Sequence, residues 1–402
     1  MYQLKYIIPL LCVASISGAA EWSQFRGPNG SGVSSEKNLP VKWDATTNVR
    51  WKAVTTGRSV SSPVVYGNKV FLTSSSGSQN DRLHVYCFDL KTGKQLWHRQ
   101  MTATGNTGCH PKSSMAAPSP CADERAVYCL FATADLATFD HDGNLLWYRS
   151  LTSDYPKISN QVGMASSPVV HNNTLVVPMD TVGESFVAAL DTQYGKNIWK
   201  VSRPRMTNWV TPTIIQKKDG AEVLFTSSKE VVSYELNTGK VAWSIEQGAS
   251  TISTTIINDN KAYVPISRNL VCLDLVKDQP TEVWKTSKLT SSSATPVILG
   301  DRIYAIGGAG TLSCGNLKTG KDLWTERIGR GKGQFWASPI AGDGKIYTFD
   351  DAGICTVIQP NDEGAEILSV NDMKAEIMGT PAIADGCLII RTIDGLYCIG
   401  KK

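Results

Sequence analysis

The chain is poor in the residues that build obvious reactive centres. Its 402 residues include five histidines, at His84, His98, His110, His141 and His171, and these are dispersed. No zinc-type spacing joins them to cysteines, and His110 follows Cys109 without the second cysteine that a haem-attachment site needs. No two cysteines are adjacent, so a disulfide between neighbouring residues is excluded. No run of Lys or Arg stands out and the net charge is only +4, which argues against a nucleic-acid partner. "GPNGSG" at 27–32 and "GGAG" at 307–310 are glycine turns without the following helix that a phosphate-binding loop requires. Helical periodicity is absent over any useful length, and beyond the first residues no apolar run is long enough to span a membrane.

The first twenty residues, "MYQLKYIIPLLCVASISGAA", do have an apolar run. One early charge, Lys5, precedes it, and Gly18, Ala19 and Ala20 follow it, the pattern of a secretory signal peptide cleaved after Ala20. Leu11 before Cys12 stands where a lipid-attachment site has a small residue, so lipidation is not expected. The expectation is an exported protein, periplasmic or secreted, with no transmembrane segment. Residues 1–20 form the leader, 21–45 an N-terminal extension and 46–400 one repeat domain.

What the chain has in abundance is a repeat. Ser or Thr, usually followed by Pro, opens a β-branched strand eight times, anchored at Pro63, Pro120, Pro168, Pro212, Thr255, Pro296, Pro339 and Pro381. The anchors are 57, 48, 44, 43, 41, 43 and 42 residues apart. Within the first copy, "SPVVYG" and "KVFLTS" flank a hairpin turn at Gly67-Asn68, and "LHVYCFDL", the turn "KTGK" and "QLWHR" follow. Four short strands per unit at a period near 42 describe a β-propeller blade.

Copies one to six end on Trp97, Trp147, Trp199, Trp243, Trp284 and Trp324, and copy seven has Leu368 in that slot. Copy eight stops after three strands. The segment "NVRWK" at 48–52 has the form of its missing outer strand, which makes Trp51 the eighth member of the set. The reading is therefore an all-β, single eight-bladed propeller of four-stranded blades, closed by an N-terminal strand that completes blade eight and leaves no seam.

The repeat, with its "LDxxTGKxxW" form after a Ser/Thr-Pro strand, resembles that of the pyrroloquinoline-quinone (PQQ) type propellers, which are WD40-like in layout. That superfamily holds quinoprotein alcohol dehydrogenases and the BamB-like scaffolds of outer-membrane assembly. Outside the repeat, "EWSQFRGPNGSGVS" at 21–34, "LPVKW" at 39–43, "HPKSSMAAPSP" at 110–120 and "NWVTP" at 208–212 resemble a family of exported bacterial PQQ-like propellers. The quinoprotein branch implies PQQ held between a tryptophan and a disulfide of adjacent cysteines, with Ca²⁺ on carboxylate and amide oxygens. This chain has no Cys-Cys dipeptide and no carboxylate cluster with Ca²⁺ spacing, so no cofactor is expected. The expected function is a non-catalytic exported scaffold that binds a protein partner or a small ligand on one propeller face. The alternative is a PQQ- and Ca²⁺-dependent dehydrogenase with an atypical quinone site.

The repeated tryptophans are expected to pack between blades. Cys87, Cys272, Cys314 and Cys398 share one slot in strand three, too far apart from blade to blade to pair, and read as small buried residues. Cys109 and Cys121 flank the start of blade two and could bridge in an oxidising compartment. Candidate binding residues lie three positions before the anchors, where Trp209 and Trp336 stand among Val60, Ala117, Ala165, Ile252, Ser293 and Met378. That position begins the innermost strand near one mouth of the central channel. The two tryptophans either plug the channel or line a pocket. Asn208, Phe335, Gln334, Lys112, Ser113 and Arg58 occupy the same pre-strand segments and would form a mixed rim.

Overall fold

A computed structural model describes residues 21–159, 163–266, 268–329, 333–393 and 395–401; the leader at 1–20 lies outside the described residues. Eight antiparallel four-stranded sheets follow one another round a ring, and two of them gain a fifth strand. Blade one runs from its inner strand Val64–Tyr66 through Lys69–Ser76 and Arg82–Asp89 to its outer strand Gln95–Thr102. Helix among the described residues amounts to one turn at Leu151–Asp154 and a 3-10 turn at Pro28–Gly30.

The expected closure is present. Val49–Ala53 pairs antiparallel with Gly395–Ile399 and is the outer strand of blade eight, with Trp51 opposite Cys398. Trp51 is 8% exposed, and its indole N–H donates to the Leu90 carbonyl of blade one at 2.8 Å. A Cβ on Gly93 would stand 2.5 Å from the Trp51 ring, so the glycine of the "KTGK" turn is the flat surface on which the previous blade's indole lies. That same glycine has φ 70°, a conformation a side chain disfavours, so both demands select glycine.

The contact repeats round the ring. Trp97, Trp147, Trp199, Trp284 and Trp324 donate to the carbonyls of His141, Thr192, Leu236, Leu317 and Asn361 in the next blade, at 2.8–3.1 Å. Trp243 breaks the pattern and donates to Glu222 of its own blade at 2.9 Å. Blade five's turn, which reads "VKDQPTE", has no glycine at this place.

Register also explains the cysteine slot. Cys87, Cys272, Cys314 and Cys398 stand directly opposite Trp97, Trp284, Trp324 and Trp51 across strands three and four. A β-bulge follows in each of these blades, and the slot beside the indole admits only a modest side chain. All four thiols are buried and free. Cys109 and Cys121 are free as well, so the bridge between them is not formed. Cys121 lies in the inner strand of blade two, whereas Cys109 sits beside Gly163 in the segment ahead of blade three.

The stretch set apart as an extension is woven into the ring. Glu21–Trp22 pairs antiparallel with the lower end of blade one's inner strand, and Val33–Ser34 pairs parallel with the inner strand of blade seven, Ile340–Gly342. Between these anchors the turn at Pro28–Gly30 reaches the inner strands of blades four and five, so the segment crosses the channel. Further on, Leu39 and Trp43 are buried in the core shared by blades seven, eight and one, and the Trp43 N–H donates to Asn371 Oδ1 at 3.0 Å.

Candidate functional site

The connections from each outer strand to the next inner strand define the upper face, and the crossing segment closes the lower one. Between them lies an axial cup of about 150 Å³. Its rim is the register singled out in the sequence: Val60, Ala117, Ala165, Trp209, Ile252, Ser293, Trp336 and Met378 all line it. Its floor is a ring of hydroxyls, Ser62, Ser119, Ser167, Thr211, Thr254, Thr295, Ser338 and Thr380, with Phe25 beneath. Among the described residues no charged side chain lines the cup.

The hydroxyl ring follows from the Ser/Thr that precedes each anchor. The backbone N–H of one blade donates to the hydroxyl of the next: Ser62 to Ser119, Ser119 to Ser167, Ser167 to Thr211, Thr254 to Thr295, Thr295 to Ser338, and Ser338 to Thr380, at 2.9–3.1 Å. Each of these hydroxyls accepts from protein and retains its own proton to donate. Among the described residues the chain of bonds is interrupted twice, between blades four and five and between blades eight and one, and at the second break Ser62 Oγ is buried at 1% exposure without a protein partner.

Trp209 and Trp336 are half-buried at the mouth. The Trp209 indole donates to the Gly163 carbonyl at 2.9 Å, and Trp336 donates to Asp351 Oδ2 at 3.1 Å. They leave the cup open between them, so they line the channel; Phe25 and the segment around it plug it from below.

Lys112 reaches over from the long connection before blade two. Its ammonium lies 2.7 Å from Asp351 Oδ2 and 5.7 Å from the centre of the Trp336 ring. Burial opposes the charge on Asp351, but bonds from Lys112, the Gln334 N–H and Trp336 outweigh it and hold the carboxyl below its ordinary range. Arg58 pairs with Glu376 at 2.9 Å on the adjoining part of the rim. Burial pushes the Cys109 thiol up, against the opposing pull of Arg58.

Two candidates turn away from the mouth. Asn208 is 2% exposed and donates to Asp180 Oδ2 and the Thr226 carbonyl, both at 2.8 Å. It belongs to a buried network in which Arg203 also bonds Asp180, at 2.8 Å. Phe335 is 4% exposed and packs over Gly310 and Gly329 in the core of blades six and seven. Alternation along an extended segment is the reason: neighbours of an axis-facing tryptophan face into the blade. Asp351 and Glu376 went unnoticed in the sequence because neither belongs to the repeat register.

The cup does not suit a PQQ–Ca²⁺ site. Among the described residues its lining offers no cation for a tricarboxylate quinone and no carboxylate for the metal. Its volume is also below the roughly 300–1,000 Å³ of pockets that enclose drug-sized ligands. Among the described residues no group of three or more His, Cys, Asp or Glu is placed to hold a metal ion.

The family model described as outer membrane protein assembly factor BamB matches residues 29–178, 157–274 and 183–399. The chain belongs to that family. Among curated relatives, a polyvinylalcohol dehydrogenase of a Pseudomonas species is 26% identical over 48% of this chain and 35% of its own length. The BamB of Shewanella oneidensis is 25% identical over 53% of this chain and 55% of its own length. The match thus spans about a third of the first relative and about half of the second. In fold, the crystal structure of BamB from Moraxella catarrhalis superposes with a TM-score of 0.65 at 15% identity, covering 88% of this chain and 97% of that one. This BamB-family chain is therefore similar to outer membrane protein assembly factors and to a dehydrogenase alike, and only its own site separates the two readings.

Proposed function

We propose that this chain is an exported, non-catalytic propeller that binds a ligand or partner at the upper mouth of its channel. The observation that carries the reading is the pair of half-buried indoles, Trp209 and Trp336, flanking an open cup whose described lining residues are uncharged. Aromatic side chains with one edge in water are the usual anchors of a binding surface. The ion pairs Lys112–Asp351 and Arg58–Glu376 give that surface a polar rim. Export rests on the leader-like residues 1–20, and no helix among the described residues is long and apolar enough to cross a membrane.

The rival, a quinone-dependent dehydrogenase, takes its support from the name of the Pseudomonas relative. Titrating the purified protein with PQQ and Ca²⁺ separates the two. The expected result is no shift in quinone absorbance and no alcohol-dependent reduction of an artificial electron acceptor; reduction at a catalytic rate overturns the proposal.

A further inference from the structure

Arg26 is fully buried, yet among the described residues no carboxylate pairs with it. Its five N–H donors all go to carbonyls: Nε to Gly30, Nη1 to Thr295 and Pro339, and Nη2 to Ser31 and Pro296, at 2.7–3.3 Å. Dipoles therefore satisfy its hydrogen bonds while its net charge stays uncompensated. Burial draws its pKa down to about 9, which still leaves the guanidinium charged at neutral pH.

Its position gives the charge a role. Thr295 supplies a hydroxyl to the floor of the cup and a carbonyl to Arg26, and Pro339 follows Ser338 of the same floor. The guanidinium thus sits one residue below the hydroxyl ring, on the side of blades six and seven. A cation held in a poorly polarisable interior acts over a longer range than one in water. Above it, hydroxyls that accept from backbone N–H groups keep a proton to donate, and Ser62 Oγ is buried with no protein partner among the described residues. Donors, a nearby positive charge and no carboxylate among the described lining residues make the floor complementary to an anion. The walls above the floor, from Trp209, Trp336, Ile252 and Met378, are apolar.

We propose that the axial cup binds a small organic monoanion, its carboxylate down on the hydroxyl ring above Arg26 and its apolar body between Trp209 and Trp336. The inference rests on the cup being the binding site. A cavity of about 150 Å³ is the size that accommodates a single benzene ring, so benzoate is a fitting probe and benzamide its uncharged counterpart of nearly the same shape.

Calorimetric titration of the full chain with each compound tests the assignment. Benzoate is expected to bind at millimolar concentrations or below, at least tenfold more tightly than benzamide. Ser62→Ala, which removes a hydroxyl that bonds nothing in the protein, is expected to melt with wild type and to bind benzoate at least tenfold more weakly. Equal affinity for the two compounds overturns the anion assignment while keeping the cup as a binding site. Absence of benzoate binding, or unchanged binding in Ser62→Ala, overturns it as well. The quinone titration described above has its own readout, so failure of the one is distinguishable from failure of the other.

Discussion

Replacing Trp51 by Ala tests whether the strand Val49–Ala53 completes the last blade. The side chain is 8% exposed, lies on Gly93 and gives its indole proton to Leu90, so its removal empties a site bounded by two blades. A buried Trp→Ala change costs about 3–5 kcal/mol, and the hydrogen bond lost with it is included in that range. An unfolding entropy of about 2.1 cal/mol/K per residue amounts to about 0.8 kcal/mol/K for a chain of 402 residues, so the melting temperature should fall by about 4–6 °C. Trp199→Ala is the internal control. It has the same glycine beneath it, Gly239, and the same 2.8 Å bond, here to Leu236, but it joins two blades that are also linked by the chain. Differential scanning calorimetry should show comparable shifts for the two variants. A Trp51→Ala protein that melts within a degree or two of wild type, beside a clearly destabilised Trp199→Ala, would refute the closure argument.

At the mouth, Trp209→Ala and Trp336→Ala should each cost only about 1–2 kcal/mol, because each side chain is only partly buried; denaturant midpoints that report a full core loss would make these residues a plug after all. Thiol labelling of the native protein should modify half-buried Cys109 first and leave Cys87, Cys272, Cys314 and Cys398 protected until unfolding, and mass mapping of a non-reduced digest checks that no two of those four are linked. The depressed pKa of Asp351 carries a pH dependence of definite sign. Its folded value lies below the unfolded value of about 3.9, so its contribution is complete above that pH and is lost as pH falls through the folded value. Asp351→Asn should therefore be less stable than wild type at neutral pH and converge with it on acidification, and a gap that stays constant between neutral pH and pH about 3 would contradict the Lys112–Asp351–Trp336 geometry.

The blade count, the strand order within each blade and the circular closure were legible in the sequence, because a propeller repeats one local unit and each unit must satisfy the same neighbours. Glycine under an indole, a small residue beside it and a Ser/Thr ahead of the anchor recur at fixed offsets because the contacts they serve recur at fixed offsets. The rim register was legible for the same reason, and Trp209 and Trp336 stood out by breaking it. Everything that depends on non-repeating segments was decided by tertiary structure. Asn208 and Phe335 lie in the right segments but face inward, an orientation set by alternation along extended chain. Lys112 meets Asp351 across 239 residues of sequence. Arg26 is one arginine among many in the sequence, and only the crossing segment brings its charge under a ring of hydroxyls that eight separate blades contribute. Local repetition fixes what each blade looks like, whereas the axis, to which every blade contributes and no blade alone contains, exists only once the ring has closed.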